Sequence, residues 1–305
     1  MLESKIIINP SKDIWWISMS VGPSFVRQLN KNKIEVFLTG RDKYGISRIG
    51  RSILEIHNET SLRLLEIEEN PILDIGPPGC FDENGVSYPW IVIHKDIEYL
   101  YYVGWVKGGR NRFQNFLGLA TKSFEEKIFK RKYNVPILDR TQKEPYGTGS
   151  CCVINYKKKW LMLYTSFLPW AGKSKASYIH PNIQPSYDIK LATSKDLINW
   201  ERSYKNILDF KSGEFIHGKP VLYENSKDMF ELYFSARGEA YRIAYASGSN
   251  INNMIRGENL KFNSKEWISE TQEYAFPIKI NGHKFLFFNG NGYGKTGLGY
   301  SILKT

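Results

Sequence analysis

The sequence predicts an all-β fold: a five-bladed β-propeller with four antiparallel strands per blade and a ring closed by the N-terminal strand. Three observations predict it. Short aromatic or branched segments ending in small residues occur five times, a phrase ending in "ILD" occurs three times, and hardly any segment has helical periodicity. The phrase ends at Asp74, Asp139 and Asp209, and these intervals of 65 and 70 residues are typical of a unit of several strands.

Each unit is predicted from three recurring segments, a, b and c, numbered outwards from the central channel. The a segments span 22–29, 85–93, 149–156, 218–223 and 275–280. The b segments span 36–42, 100–105, 161–167, 231–237 and 285–291. The c segments span 48–54, 116–122, 188–194, 242–248 and 297–303. The repeated phrase is expected to form the fourth strand, d, which gives five units of four strands.

The two ends of the chain complement each other. The fifth unit stops after its c segment, whereas the chain starts with an isolated strand segment, "KIIIN". We therefore expect residues 6–8 to supply the outer strand of the last blade, which removes an exposed sheet edge. A single propeller domain spanning 1–305 follows from this arrangement.

Composition excludes several functional classes. The chain is 42% hydrophobic and 14% aromatic, which is typical of a globular protein. Its net charge of +11 comes from scattered lysines, so we expect no nucleic-acid partner. No apolar run approaches the roughly 20 residues of a membrane span. The sequence shows no secretory signal, and the number of cysteines, three, is odd. Both observations favour a cytoplasmic location.

One face of the predicted ring collects chemically useful side chains, because the loops before strand a and the b-to-c loops lie on the same side. We expect no metal or cofactor there, since no CxxC or HExxH motif is present. The loops before strand a, or its first residues, carry Ser24, Asp82, Glu144, Tyr146, Glu214, His217 and Glu273. The b-to-c loops carry Arg41, Asp42, Arg48, Trp105, Lys107, Arg110, Arg112, Asn115, Trp170, Tyr178, His180, Tyr187, Arg237, Tyr241, Asn291, Tyr293 and Lys295.

These residue types suit a sugar ligand. Aromatic faces pack on the apolar side of a sugar ring, while arginine and asparagine bind hydroxyls or anionic groups. Seven cations are singled out in these loops, and five of them are arginine: Arg41, Arg48, Arg110, Arg112 and Arg237. Arginine favours a negatively charged substrate or donor. The alternative interpretation is ordinary solvated loop polarity and acidic residues in glycine turns.

The segments "GPSF", "FDENGVSYPW", "YYVGW", "SYDIKLATSKDLINW" and "FFNGNGYGKTGLGY" give the whole chain a resemblance to the five-bladed propeller enzymes of glycoside hydrolase families 43 and 32, and most of all to a bacterial group of them. The resemblance implies carbohydrate chemistry, with Glu214 as the acid and Glu144 near the second acidic position. Ser24 stands where those enzymes place a first-blade aspartate base. Asp82 is the candidate replacement.

Three functions remain open at this stage. The first is a glycosidase that uses Glu214 and Asp82, because glycoside cleavage needs one carboxyl as acid and a second as base or nucleophile. The second is a glycosyltransferase or glycoside phosphorylase with a phosphorylated donor. The third is a propeller that only binds glycan, which the missing first-blade carboxylate favours. The predicted partner is a carbohydrate or sugar phosphate, and the sequence carries no signal for the oligomeric state.

Overall fold

The computed structural model describes residues 1–171, 184–225 and 229–303, so Tyr178 and His180 lie outside the described residues. The regular secondary structure of the described chain is almost entirely β-strand. Its strands are β1 Ser4–Ile8, β2 Ser20–Gln28, β3 Lys33–Arg41, β4 Ser47–Asn58, β5 Ser61–Ile67, β6 Gly85–His94, β7 Ile97–Lys107, β8 Phe113–Ser123, β9 Lys130–Arg131, β10 Thr148–Tyr156, β11 Lys159–Ala171, β12 Gln184–Ser194, β13 Glu201–Asn206, β14 Ile216–Asn225, β15 Met229–Arg237, β16 Tyr241–Gly248, β17 Ile255–Arg256, β18 Gln272–Ile280, β19 His283–Gly290 and β20 Leu298–Leu303. Short helical turns occur at Trp15–Ile17, Glu266–Ile268 and Asn291–Gly294.

Antiparallel pairing groups these strands into five four-stranded units. Units I to IV are β2 to β5, β6 to β9, β10 to β13 and β14 to β17, and unit V is β18 to β20 with β1. Single parallel bridges join units I and II at Ser47 and Gly85, and units III and IV at Tyr187 and Ile216. No sheet in the described chain closes on itself.

The N-terminal strand completes unit V, as the sequence predicts. β1 runs antiparallel to β20, with Ser4 opposite Ser301 and Ile8 opposite Leu298. The Ile8 and Leu298 side chains are fully buried. The outer edge of β20 is therefore covered by a strand from the other end of the chain.

The first strands of the units neighbour one another in cyclic order. β2 contacts β6, β6 contacts β10, β10 contacts β14, β14 contacts β18, and β18 contacts β2. Phe25 of β2 lies 5.3 Å from Trp90 of β6 and 5.1 Å from Phe276 of β18, measured between ring centroids. These edge-on aromatic contacts fill the space between the three strands.

Each first strand carries a bulge at the same place. The pairing register shifts between Val21 and Ser24, Ser87 and Trp90, Thr148 and Cys151, Gly218 and Val221, and Glu273 and Phe276. Three of the bulges hold a non-glycine residue with positive φ: Tyr88 at 55°, Lys219 at 50° and Tyr274 at 61°. Such bulges redirect side chains away from the regular alternation of a strand.

The repeated "ILD" phrase does not form the fourth strand, which corrects the sequence expectation. In units I and II it follows the fourth strand and pairs back onto the third: Leu73 bridges Ile49, and Leu138 bridges Leu117. The carbonyl of Asp74 accepts a hydrogen bond from Arg131 of the next unit. Asp139 accepts in the same way from Arg202, so at both positions the phrase connects to an arginine of the following unit.

Candidate functional site

A cavity of about 650 Å³ is lined by residues from all five units. The predicted site residues that line it include Arg41, Trp105, Tyr187, Arg237, Glu273 and Tyr293. Arg112, Asn115 and Tyr241 from the b-to-c loops line it as well. Most of these side chains come from the ends of second strands, the starts of third strands and the loops between them, so the structure brings these segments together around one cavity.

Five tyrosines line one side of the cavity. The ring of Tyr274 lies 5.3 Å from that of Tyr88 and 5.5 Å from that of Tyr293, and the Tyr187 and Tyr241 hydroxyl oxygens are 2.5 Å apart. Burial raises the pKa of all five phenols. They therefore stay protonated and offer both hydrogen-bond donors and apolar ring surface to a ligand.

Glu273 is the buried carboxyl among the three that line the cavity, with 2% of its surface exposed. Thr271 Oγ1 donates to its Oε1 at 2.6 Å, and the Tyr293 amide donates to its Oε2 at 3.3 Å. Among described residues, no cation lies within 4.0 Å of it. Burial raises the pKa of Glu273 despite these hydrogen bonds and the nearby charge of Arg237. A carboxyl with a raised pKa at a cavity wall is a candidate acid catalyst.

Four cations share the cavity with Glu273: Arg41, Arg112, Lys219 and Arg237. The Arg41 guanidinium lies 3.8 Å from the centroid of the Tyr293 ring, and that of Arg237 lies 5.2 Å from the centroid of Tyr241. Stacking on the tyrosine rings orients these guanidinium groups. The lining thus carries four cations and three carboxyls, of which only Lys219 and Glu273 are buried.

Asn291 holds the loop that carries the Glu273 partner Thr271. Its Oδ1 accepts hydrogen bonds from the backbone amides of Glu270 at 2.8 Å and Thr271 at 3.1 Å. Its Nδ2 donates to the Glu266 carbonyl at 3.0 Å. Asn291 itself does not line the cavity, so it supports the site from behind instead of contacting a ligand there.

Asp82 does not line the cavity; its fully buried side chain is bound by two donors of its own unit. Arg131 Nε, on β9, donates to Asp82 Oδ2 at 2.7 Å, and the Tyr102 hydroxyl, on β7, donates to the same oxygen at 2.9 Å. The carboxylate therefore connects the loop before β6 to the outermost strand of unit II.

Glu144 has the same arrangement in unit III. Arg202 Nη1, on β13, donates at 2.6 Å, the Tyr164 hydroxyl at 3.0 Å and the Ser166 hydroxyl at 2.8 Å. Lys190 Nζ lies 3.2 Å away. Burial opposes ionisation, but these hydrogen bonds and charges outweigh it and lower the pKa of Glu144.

Glu214 repeats the arrangement in unit IV with one substitution. Arg256 Nη2, on β17, lies 3.2 Å from Glu214 Oε1, and His217 Nε2 lies 2.9 Å from Oε2. Phe234 occupies the strand position of Tyr102 and Tyr164 and has no hydroxyl, and the buried His217 ring packs 4.7 Å from it. Glu214 and His217 therefore form part of the third copy, outside the cavity lining.

The remaining predicted residues also lie outside the cavity lining. Arg48 pairs with Asp42 at 2.7 Å and with Asp74 at 2.6 Å. Ser24 is fully buried on β2. Arg110 and Tyr146 are exposed on loops.

The cavity lining also includes Tyr88, Lys219 and Tyr274, the three positive-φ residues on the bulges, which were not predicted from the sequence. A signal for two of them was present, because Tyr88 and Lys219 each precede a proline inside a strand segment. Proline within a strand marks an edge or a bulge. Tyr274 is followed by alanine and carries no such signal.

The cysteines contribute no visible chemistry. Cys151 and Cys152 are buried and unbonded, and burial raises the pKa of Cys152 to about 12. Thiols of this kind are poor nucleophiles.

Within the described ranges, no group of three or more His, Cys, Asp or Glu side chains is arranged to hold a metal ion. The same part of the chain contains no helix long and apolar enough to cross a bilayer.

Comparison with known proteins supports the fold. No protein-family model matches the chain. An uncharacterized protein of Mycobacterium tuberculosis is 26% identical over 302 residues, which cover 98% of this chain and 97% of the relative.

Solved structures are similar over the whole chain at low identity. A glycosyl hydrolase from Bacteroides ovatus has a TM-score of 0.71 at 15% identity and covers 100% of this chain and 94% of its own. A protein described within the GH130 family of mannoside phosphorylases and glycoside hydrolases has a TM-score of 0.70 at 15% identity, with coverage of 100% and 94%. The GH32 β-fructofuranosidase of Bombyx mori has a TM-score of 0.64 at 14% identity, with coverage of 99% and 62%. The chain thus has the all-β, propeller-type fold of glycoside hydrolases.

Proposed function

We propose that the protein is a carbohydrate-active enzyme that cleaves or transfers a glycosyl group in the cavity, with Glu273 as the proton donor. The observation that carries the proposal is the burial of the Glu273 carboxyl at the cavity wall, without a cation in ion-pair contact among described residues. Glycoside cleavage requires a proton on the departing oxygen. A carboxyl with a raised pKa is suited to deliver it.

The aromatic lining supports a sugar as the ligand. Trp105, Tyr187 and Tyr293 present ring surface to the cavity, and the tyrosine hydroxyls lie beside it. Sugar rings have an apolar face and a rim of hydroxyls, which match these two features. The structural likeness to glycoside hydrolases and to the GH130 family points in the same direction.

Two reactions fit the site. Hydrolysis needs a second carboxyl to activate water or attack carbon, and Glu239 and Glu270, both exposed at the cavity lining, are the candidates. Phosphorolysis, or transfer from a phosphorylated donor, needs no such base because the ligand supplies its own charge. The four lining cations favour this second reaction, since arginine binds phosphate and carboxylate at two points.

We propose a structural role for the three acids that the sequence singled out as catalytic. Asp82, Glu144 and Glu214 are each engaged by an arginine of the fourth strand. A carboxylate whose pKa is lowered, as in Glu144 and Glu214, is a poor proton donor near neutral pH.

We also propose that the five units are the blades of one propeller domain and that β1 closes the ring. The pairing of β1 with β20 and the cyclic neighbour order of the first strands support it. In this arrangement the cavity lies at the mouth of the central channel. A cytoplasmic location stays a prediction.

The test is turnover of a panel of α- and β-aryl glycosides, with and without inorganic phosphate. Glu273→Gln should lower kcat by roughly 10²- to 10⁴-fold, and less for substrates with acidic leaving groups, which need less proton assistance. Glu59→Gln, at a side chain that is 86% exposed, is the matched control. A sugar phosphate product would identify phosphorolysis. Full activity of Glu273→Gln would contradict the assignment, and glycan binding without any turnover would leave only a binding protein.

A further inference from the structure

Lys219 is an unusual lysine. It lines the cavity, only 4% of its surface is exposed, and its backbone occupies the strained bulge position of β14. Its Nζ donates to the carbonyl of Ala275 at 3.1 Å. No carboxylate of the described chain lies within 4.0 Å of that nitrogen. A buried ammonium group that lacks an anionic partner is costly.

The strands around Lys219 provide few groups that would stabilise a buried ammonium. Cys151 and Cys152 of β10 act on the charge of Lys219. The strands packed against β14 also contribute polar or titratable side chains to the lining of the same cavity: Ser150 on β10, Thr165 on β11, Tyr187 on β12, Ser235 and Arg237 on β15, and Glu273 and Tyr274 on β18. The Phe276 ring lies 4.9 Å from Nζ. Burial lowers the pKa of Lys219 to about 7, and the two thiols oppose this only partly. The free protein therefore holds a mixture of amine and ammonium near neutral pH.

We propose that the cavity wall at Lys219 binds an anionic group of the ligand, a phosphate or a carboxylate, and that Lys219 takes up one proton as this group binds. The proton comes from the solvent and adds to the Nζ lone pair. The resulting ammonium keeps its hydrogen bond to Ala275 and donates a second to an anion oxygen. The proposal rests on the proposed function, because the anion belongs to the sugar ligand or its co-substrate.

The physical basis is charge complementarity in a desolvated site. An anion beside Nζ favours the charged form and raises the pKa of the lysine towards its ordinary value. Arg41 and Arg237 line the same cavity and are charged at any pH of interest. They attract the anion without taking up a proton, so the proton uptake is expected from Lys219. Glu273 lines the same cavity and is the other group that could take up a proton, and the Lys219→Met variant described below separates the two.

The test is titration calorimetry of the full chain with two probes, sulfate and glucuronic acid. Both are fully ionised near neutral pH, so neither contributes a proton of its own. Measurements at pH 6 and pH 8, in buffers of different ionisation enthalpy, give the protons taken up per anion bound. We expect about one proton at pH 8 and far less at pH 6, as follows from a lysine that titrates near 7. The probe that gives this response separates a phosphate-like from a carboxylate ligand.

Lys219→Met should weaken binding of the responding anion at least tenfold and abolish the proton uptake. Met retains the unbranched stem, and Lys219→Gln serves if the Met variant does not fold. Lys12→Met, at an exposed lysine, is the matched control.

Anion binding without proton uptake at pH 8, or no binding of either probe, would overturn the proposal. Glycoside turnover that depends on Glu273 would still stand in that case. Conversely, proton-linked anion binding with no turnover would leave this inference intact and contradict the proposed enzyme.

Discussion

Units II to IV and unit V differ in what binds the acidic side chain near their first strand. In units II to IV the acid lies before the first strand and is held by an arginine of the unit's own fourth strand, as Glu144 is by Arg202. In unit V the fourth strand is β1, whose five residues, "SKIII", include no arginine. The buried acid of that unit, Glu273, lies on the first strand at the bulge and lines the cavity.

The difference shows that the hydrogen-bonding and charged partners of a carboxyl, and not its burial alone, determine the direction of its pKa shift. Glu144 and Glu273 are 1% and 2% exposed. Hydrogen bonds and opposite charge lower the pKa of Glu144, whereas burial raises that of Glu273. The first is therefore fixed as an anion that connects strands, and the second is available to carry a proton.

The largest expected effect comes from removing the fourth strand of unit V. Deletion of residues 1–8 exposes the β20 edge and removes the buried Ile8 side chain, which by itself contributes about 1.5 to 3 kcal/mol. Together with the exposed edge, we expect a loss of more than about 5 kcal/mol of unfolding free energy, or aggregation. Thermal melting and size-exclusion chromatography measure it. A truncated protein as stable as the parent would show that β1 has no closing role.

Removing an arginine from units II to IV should cost somewhat less. Arg202→Met leaves Glu144 buried with Lys190 as its remaining cation, and we expect a loss of about 3 to 5 kcal/mol in urea unfolding. Arg140→Met, at a side chain that is 50% exposed, is the control and should change stability by less than about 0.5 kcal/mol. A loss below about 1 kcal/mol for Arg202→Met would mean that the acid–arginine pair does not stabilise unit III.

The strands were predictable because their signal is local. Alternating and aromatic segments mark the first three strands of every unit, and the isolated "KIIIN" segment matches the missing strand of unit V. The "ILD" phrase was misplaced because its role depends on a distant arginine. Arg131 and Arg202 each contact the carbonyl of a phrase more than 50 residues earlier, and no local pattern announces such a contact.

Site residues could be predicted from the sequence where the order of the strands alone determines where those residues lie. Arg41, Trp105 and Arg237 end second strands and so reach the cavity. Lys219 was missed because a bulge breaks the period of two that a strand argument assumes. Asp82 was linked to catalysis because its partner Arg131 lies 49 residues away, which the sequence does not show.

The smallest expected effect is the pH dependence of stability. It should have opposite signs for Glu144 in unit III and Glu273 in unit V. The folded-state pKa of Glu144 lies below its ordinary value of 4.5, so its contribution is present above pH 4.5 and is lost as the pH falls through the folded pKa. The folded-state pKa of Glu273 lies above 4.5, so its ionisation costs stability as the pH rises from 4.5 through the folded pKa. Relative to the parent, Glu144→Gln should be less stable at pH 7 and more nearly equal at pH 3.

Glu273→Gln should show the reverse, with a gain in stability at pH 7 that disappears at acid pH. The amide oxygen can still accept from Thr271, whereas the longer hydrogen bond from the Tyr293 amide, at 3.3 Å, loses its acceptor. Urea unfolding of both variants and the parent between pH 3 and pH 8 measures the two trends. If both variants lose stability at pH 7, Glu273 is a structural anion like Glu144, and the contrast between unit V and units II to IV does not hold.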